Sequence, residues 1–178
     1  MRRTSRENAF KLIFEKSVSG GTGEITYAVL TRMMNSEENG YFNYLIDGIE
    51  KNKQFLMDAV KNYSRGFDID RIYKVDLAIL MVSSYEILFS TDVPDKVAVN
   101  EALELSKIYS TDNSPSFING ILASIIREKS VLLDNYSKMQ NSENDGSSEC
   151  AALGDDISDD TCDLFAEIKE SENESKIN

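Results

Sequence analysis

The stretch from Asp92 to Leu122, DVPDKVAVNEALELSKIYSTDNSPSFINGIL, predicts two helices joined by a polar turn. Pro94 disfavours helical geometry at Val93, so the preceding element ends there. Apolar side chains then recur at helical spacing, at Ala98, Ala102, Leu105 and Tyr109. Ser114 and Pro115 follow in the order that favours a helix start, a hydroxyl that caps free amides and then a residue without an amide. The apolar spacing after this point predicts that the second helix is buried along one side.

The rest of the chain also has helical periodicity. Thr4 and Glu7 match a capping box and predict the start of the first helix, which leaves Arg2 and Arg3 ahead of it as a mobile arm. A loop at 17–23 and a break at 35–40 separate the next predicted helices. The second helix runs from Ile25 to Met34, and one long helix runs from Phe42 to Tyr63 and ends near Gly66. A central helix follows from Ile69 to Phe89, with an interruption near Tyr73 to Val75. No segment alternates convincingly at a period of two. We therefore predict an all-α compact bundle of about six or seven helices.

Composition indicates one folded domain followed by an acidic tail. Of the formal net charge of -12, residues 1–136 contribute 16 Lys or Arg against 19 Asp or Glu, and residues 137–178 contribute 3 against 12. The segment 135–178 is rich in Ser, Asn, Asp and Glu and lacks a sustained apolar pattern, which is typical of disorder. We therefore place the domain at 1–134 and the tail at 135–178. No apolar run approaches a membrane span and no secretory pattern is present, so we expect a cytoplasmic protein.

The residue types exclude several kinds of chemistry. The chain has no histidine, which removes the Ser-His-Asp triad and the histidine-based zinc site. Cys150 and Cys162 both fall in the acidic segment and predict free thiols instead of a disulfide framework. The aspartates at 155–163 lack EF-hand spacing and indicate solvated charge. We expect no cofactor, no metal and no enzymatic activity.

Five separated segments agree in order and spacing with a known pattern. They are RRTSRENAFKLIF (2–14), FNYLIDGI (42–49), DRIYKVDLAILMVSSYEIL (70–88), VPDKVAVNEALELSKIYS (93–110) and SFINGIL (116–122). The last two contain a proline, an Asn-Glu-Ala element and a Phe-x-Asn-Gly element in that order. Together the segments resemble the NusB family of bacterial transcription antitermination factors. The resemblance covers roughly residues 1–133, and it implies two three-helix halves.

The resemblance also implies a function. The implied protein is a factor that binds the boxA element of nascent single-stranded RNA together with the ribosomal protein NusE. It acts within the RNA polymerase antitermination complex and promotes transcription of ribosomal RNA operons. One alternative is a helical protein-interaction adaptor without direct RNA binding. Another is a helical accessory domain of an RNA methyltransferase, but the chain lacks the glycine-rich cofactor-binding turn of such enzymes. Whether the free protein forms a homodimer is left open.

The candidate RNA-binding residues combine cations, amides and aromatic rings. On charge alone, Arg2, Arg3 and Arg6 can track a phosphate backbone, although a short basic patch is more often a solvated terminus. Phe117 is either a platform for an unstacked base or a core residue. Gly120 inside a helix predicts the close approach of another backbone. With the resemblance, the predicted RNA-binding set is Arg2, Arg3, Arg6, Lys96, Asn100, Lys107, Tyr109, Phe117 and Asn119.

The candidate partner-binding residues come from the first helix and the central helix. The resemblance implies a small basic partner, NusE, and an acidic surface on the central helix would suit it. The predicted set is Phe14, Asp76, Tyr85 and Glu86. Met81 stands where many family members have an arginine, so no ion pair or phosphate contact is expected from that position.

Overall fold

The computed structural model describes residues 2–64 and 69–145, and it is built from helices without a β-strand in those ranges. The elements in chain order are α1 Arg2–Ser19, α2 Glu24–Met33, α3 Ser36–Lys51, α4 Lys53–Tyr63, a 3-10 turn Ile69–Arg71, α5 Lys74–Phe89, α6 Asp95–Tyr109, α7 Ser114–Arg127 and α8 Lys129–Asp145. The all-α prediction is confirmed. Among the described residues, none of these helices combines the length and the apolarity needed to cross a bilayer.

α5 is the centre of the bundle. Its residues from Asp76 to Leu88 are all buried, because it packs against α1, α3, α4, α6 and α7. A helix that is covered on every side has to be apolar on every side, which accounts for its dense apolar sequence. The predicted interruption near Tyr73 is confirmed, since the 3-10 turn ends before α5 begins.

The start of α1 differs from the prediction. The helix already includes Arg2 and Arg3, so these residues are helical and do not form a mobile arm. Thr4 and Glu7 lie inside the helix instead of capping it. The Glu7 carboxylate is engaged one turn later, where Lys11 Nζ donates to Glu7 Oε1 at 2.8 Å. An i,i+4 pair has therefore replaced the predicted capping box.

The long helix predicted from Phe42 to Tyr63 is in fact two helices, which is one reason why the described residues contain eight α-helices instead of six or seven. α3 begins earlier, under a capping box in which Asn35 and Glu38 satisfy each other's backbone amides. The break comes at Asn52, whose side-chain amide donates to the Gly48 carbonyl at 2.7 Å. Such a side-chain bond competes with the helical hydrogen-bond pattern, which explains the interruption.

The helical part extends past the predicted domain boundary at residue 134. α8 continues to Asp145, and the Tyr136 ring lies 5.0 Å, between centroids, from the rings of both Phe55 and Phe89. The Tyr136 hydroxyl also donates to Asn52 Oδ1 at 2.6 Å. Composition alone does not reveal this anchor, because a single aromatic side chain in a polar segment supplies it. The disorder predicted from residue 135 is therefore wrong for the first turns of the segment.

The compact unit that contains the bundle ends at Met139, and a second unit begins at Gln140. Of this second unit, the structure describes only the end of α8. The rest of the predicted acidic tail, with Cys150 and Cys162, lies outside the described residues, and so does Gly66.

Gly48, and not Gly120, permits a close approach to a neighbouring helix. A Cβ atom on Gly48 would clash with the Tyr85 ring, so this ring packs directly on the backbone of α3. A Cβ atom on Gly120 would meet nothing within 4 Å. The prediction of a close backbone approach at Gly120 is therefore wrong.

These two helical glycines make a matched pair for a stability measurement. Gly48→Ala should lower the free energy of unfolding by about 1–3 kcal/mol, because overpacking forces the Tyr85 ring away from α3. Gly120→Ala should raise it by up to about 1 kcal/mol, because alanine has the higher helix propensity and the site is open. Urea unfolding followed by circular dichroism measures both. Equal effects of the two substitutions would contradict the packing described here.

Candidate RNA-binding surface

Tyr109, in the last turn of α6, lies against α1. Its ring centroid is 5.1 Å from that of Phe10, and its hydroxyl donates to Glu7 Oε1 at 2.5 Å. The Lys11 ammonium is 5.6 Å from the centroid of the same ring. The pair of Glu7 and Lys11 on α1 therefore holds an aromatic ring that α6 supplies.

The hydrogen bonds in this cluster fix its charge state. The Lys11 ammonium, and after it the Tyr109 hydroxyl, hold the pKa of the Glu7 carboxyl below its ordinary value. The bond to Glu7 raises the pKa of Tyr109, and the same carboxylate raises the pKa of Lys11. At neutral pH the cluster therefore has one anion, one cation and a neutral phenol.

Further cations lie on the outer face of α6, whereas the Tyr109 ring, about 200° around the helix from Lys107, faces α1. Lys96, Asn100 and Lys107 are exposed and are spaced by four and seven residues, so they share one side of the helix. The Lys107 ammonium lies 2.6 Å from Glu104 and is the main cause of the lowered pKa of that carboxyl. Arg3 of α1 is exposed, and its positive charge also contributes to the lowered pKa of Glu104. We call Arg3, Lys11, Lys96, Asn100, Lys107 and Tyr109 the cationic strip.

The other two arginines of the predicted RNA-binding set have different surroundings. Arg2 is exposed, donates to the Asp92 carbonyl at 3.1 Å, and has its guanidinium carbon 5.0 Å from the Tyr41 ring centroid. The Arg6 side chain is only 6% exposed, and its Nε lies 2.8 Å and 2.9 Å from the two carboxylate oxygens of Glu86. Arg6 is therefore an internal ion-pair partner in this structure, and it presents no free cation to RNA.

The Arg6 pair is part of a buried polar network. The Tyr41 hydroxyl donates to Glu86, and Glu101 lies 4.0 Å from the Arg6 guanidinium. Burial raises the pKa of Glu86 in spite of the neighbouring cation, and burial together with the Glu86 carboxylate raises the pKa of Tyr41. The network joins α1, α3, α5 and α6 around one ion pair.

The predicted partner-binding set is mostly buried. Asp76, Tyr85 and Glu86 are between 1% and 6% exposed, because α5 is covered on all sides. The acidic docking face predicted on α5 is therefore wrong. Phe14 is half-buried, with its ring centroid 6.3 Å from that of Phe10. It is the one member of the set that reaches the surface of the described part of the chain.

Asp76 instead positions the turn between α6 and α7. Ser110 donates to Asp76 Oδ1 at 2.5 Å, and Ser114 donates to Asp76 Oδ2 at 2.9 Å. The N-cap of α7 is Asn113, and Ser114 is its first helical residue, so the predicted capping role of Ser114 is replaced by this bond to α5. The turn runs from Tyr109 at the cationic strip to the start of α7.

α7 supplies the last two predicted RNA-binding residues. Asn119 is exposed and Phe117 is half-buried. Phe117 lines a shallow cavity of about 190 Å³ together with Arg71 and Tyr73. Tyr73, which is 65% exposed, and the exposed Arg71 are candidate contacts that the sequence pattern did not indicate, because Tyr73 falls in an apolar run and Arg71 is isolated. The only indication in the sequence is that Tyr73 is an aromatic residue directly before the start of a helix.

Comparisons with known proteins identify the family of this chain. The model of the NusB family matches residues 3–127 of the chain. The chain belongs to the NusB family. It is 42% identical over 132 residues to transcription antitermination protein NusB of Clostridium novyi (strain NT), a match that spans 71% of this chain and 98% of that protein. NusB proteins are transcription antitermination factors.

Solved NusB structures share the fold. T. maritima NusB superposes with a TM-score of 0.68 at 31% identity, over 72% of this chain and 92% of that one. A crystal structure of antitermination factors NusB and NusE in complex with dsRNA superposes with a TM-score of 0.65 at 19% identity, over 71% of this chain and 96% of that one. At the lower identity the likeness concerns the fold alone. The NusB bundle is therefore the architecture on which the cationic strip is built.

The buried network predicts that Arg6 and Glu86 are strongly coupled in their contribution to the free energy of unfolding, and that this coupling depends on pH. Arg6→Met should lower the free energy of unfolding by about 3–5 kcal/mol at pH 8, because it leaves the Glu86 carboxylate buried without its partner. Removal of Arg6 raises the pKa of Glu86 further, so the folded state then takes up a proton as pH falls. The loss should therefore be smaller at pH 5.5 than at pH 8.

Urea unfolding of Arg6→Met, Glu86→Leu and the double variant at both pH values measures this coupling. The double variant should lose less stability than the sum of the two single variants. Lys107→Met is the control, since its pair with Glu104 is exposed to solvent and contributes little to stability. Additive losses, or a loss for Arg6→Met that does not change with pH, would rule out the coupling.

Proposed function

We propose that this NusB-family protein binds boxA RNA together with ribosomal protein NusE, as part of the RNA polymerase antitermination complex, and thereby promotes transcription of ribosomal RNA operons in the cytoplasm. The observation that carries the proposal is the cationic strip, in which Lys11 of α1 lies beside the partly exposed ring of Tyr109 and Lys96 and Lys107 lie on the outer face of α6. Cations that follow a phosphate backbone beside an aromatic platform are the pattern of single-strand recognition.

The strip continues toward α7, where the rest of the predicted RNA-binding set lies. Asp76 holds the turn after Tyr109 through Ser110 and Ser114, so the half-buried Phe117 and the exposed Asn119 follow the strip in a fixed arrangement. A ring and an amide at this position can stack on an unpaired base and bond its edge. The proposed RNA path therefore runs from α1 along α6 to the start of α7.

The strip is weak as an electrostatic site, which favours a shared task. Glu7 and Glu104 lie among its cations, and residues 1–136 carry 16 Lys or Arg against 19 Asp or Glu. A protein with this balance attracts RNA little at long range, whereas a cationic partner would supply the missing attraction. The NusB and NusE structure with dsRNA supports NusE as this partner.

The partner surface proposed here differs from the one that the sequence suggested. Asp76, Tyr85 and Glu86 are buried, so only Phe14 remains as a candidate contact from that set. Phe14 lies one turn after Phe10 on α1, and Phe10 packs on Tyr109 of the strip. A partner that docks at Phe14 would therefore contact the same helix that supplies Arg3 and Lys11.

If the cationic strip contacts RNA, removal of one of its cations should weaken RNA binding by a defined factor. Arg3→Ala and Lys107→Ala should each weaken binding to a boxA single strand about fivefold at 0.1 M salt, the counterion-release value of one contact to a single strand. Each should also lower the slope of log K against log salt by about 0.7. Fluorescence anisotropy with a labelled strand, at several salt concentrations and with NusE present, measures both quantities.

Lys51→Ala is the matched control, because Lys51 is exposed in the last turn of α3 and does not belong to the strip. Its affinity and slope should equal those of the unmodified protein. If Arg3→Ala and Lys107→Ala also leave both unchanged, the strip does not contact RNA. If the protein binds NusE but no RNA with or without that partner, it is a protein-interaction adaptor.

A further inference from the structure

An apolar cavity lies where α1, α3, α4 and α5 meet. Its volume is about 310 Å³, at the lower end of the roughly 300–1,000 Å³ that small-molecule sites occupy. No residue of the cationic strip lines it, so it is separate from the proposed RNA path. The apolar wall is formed by Ile13, Ile49, Met57, Leu77, Ala78 and Met81.

The inner wall of this cavity belongs to the hydrophobic core. Ile49, Ala78 and Met81 are between 1% and 4% exposed. Ile13 and Met57 are half-buried, so they line the outer part. Water beside such a wall finds few polar partners, and an apolar group that replaces it removes apolar surface from water. The cavity therefore favours an apolar group.

Three lysines surround the opening, and we call the whole site the lysine-rimmed cavity. Lys53 and Lys74 are exposed, and neither forms an ion pair with another residue in the described ranges. Lys16 pairs with Glu50, which is the one carboxylate among the described lining residues. Three lysines and one glutamate give the opening a net charge of +2, although residues 1–136 carry 16 Lys or Arg against 19 Asp or Glu.

Lys16 is held in place on two sides. A Cβ atom on Gly23 would lie 3.2 Å from Lys16 Cε, so the lysine side chain runs against the backbone of this glycine. Its ammonium is fixed by the bond to Glu50. The pair closes one side of the opening, and Lys53 and Lys74 are left as the cations that can receive a ligand.

We propose that the lysine-rimmed cavity binds a small amphipathic anion, a carboxylate with an unbranched apolar chain. The chain lies against the apolar wall, and the carboxylate accepts charge-assisted hydrogen bonds from Lys53 and Lys74. A cationic head group on the same chain would meet like charge at the opening. An acid without the chain would leave the cavity unfilled. Both parts of the ligand are therefore required.

Nuclear magnetic resonance of the full-length chain with ¹³C-labelled methionine methyl groups, titrated with octanoate at pH 7, tests the proposal. Met57 and Met81 line the cavity, whereas Met33 does not. The signals of Met57 and Met81 should shift and saturate, and that of Met33 should stay unchanged. Hexanoate should bind roughly tenfold more weakly, because two fewer methylenes are buried.

Two ligands of altered chemistry serve as controls in the same titration. Octylamine keeps the chain but carries a positive charge at pH 7, and acetate keeps the carboxylate but lacks the chain. Neither should shift the signals of Met57 and Met81 at the concentrations where octanoate saturates them. Equal binding of octylamine would show that the lysines do not select the ligand, and equal binding of acetate would show that the cavity does not. Either result overturns the proposal.

A double variant tests the two lysines directly. Lys53→Gln combined with Lys74→Gln should weaken octanoate binding about fivefold, the effect of two exposed ion pairs. Lys61→Gln is the matched control, because Lys61 is exposed in the last turn of α4 and does not line the cavity. It should bind octanoate like the unmodified chain. Unchanged affinity of the double variant, or the absence of a saturable shift in the unmodified chain, contradicts the proposal. Equal thermal unfolding of the variants confirms that each one is folded.

Discussion

The buried ion pair between Arg6 and Glu86 is the interaction on which the arrangement of the bundle depends. It links the first helix to the central one, and the Tyr41 hydroxyl and Glu101 extend it to α3 and α6. Burying two charges carries a large desolvation penalty, which the short contact from Arg6 Nε to both carboxylate oxygens and the extra hydrogen bond from Tyr41 offset. Because the pair holds α1 against α5, the arginines at the start of the chain are rigidly placed helical residues.

The ion pair between Arg6 and Glu86 explains which of the candidate RNA-binding cations remain exposed. Arg3 stays exposed on α1 and Lys11 stays half-exposed, whereas Arg6 turns inward to Glu86. The strip that results has few cations, and two carboxylates lie beside them. Such a surface favours recognition shared with a second protein over tight binding by charge alone.

Local signals in the sequence were enough to predict most of the helices. The break at Asn52 and the burial of charged residues depend on tertiary contacts. Pro94 and the turn before Pro115 marked the bounds of α6 and α7, because these residues act on their own backbone. The break at Asn52 depends on one side-chain bond to Gly48, which apolar periodicity does not register. Asp76 and Glu86 were expected at the surface because an acidic face would suit a basic partner, and only the packing of five helices around α5 places them inside.

The bonds from Ser110 and Ser114 to Asp76 have a consequence for the energetics of recognition. They anchor the α6–α7 turn to the most deeply buried helix, so the turn cannot reorient without exposing or breaking buried hydrogen bonds. A loop held in this way loses little conformational entropy when a ligand binds. The corner that carries Phe117 and Asn119 is thus preorganised, and selectivity there follows from shape that exists before any ligand arrives.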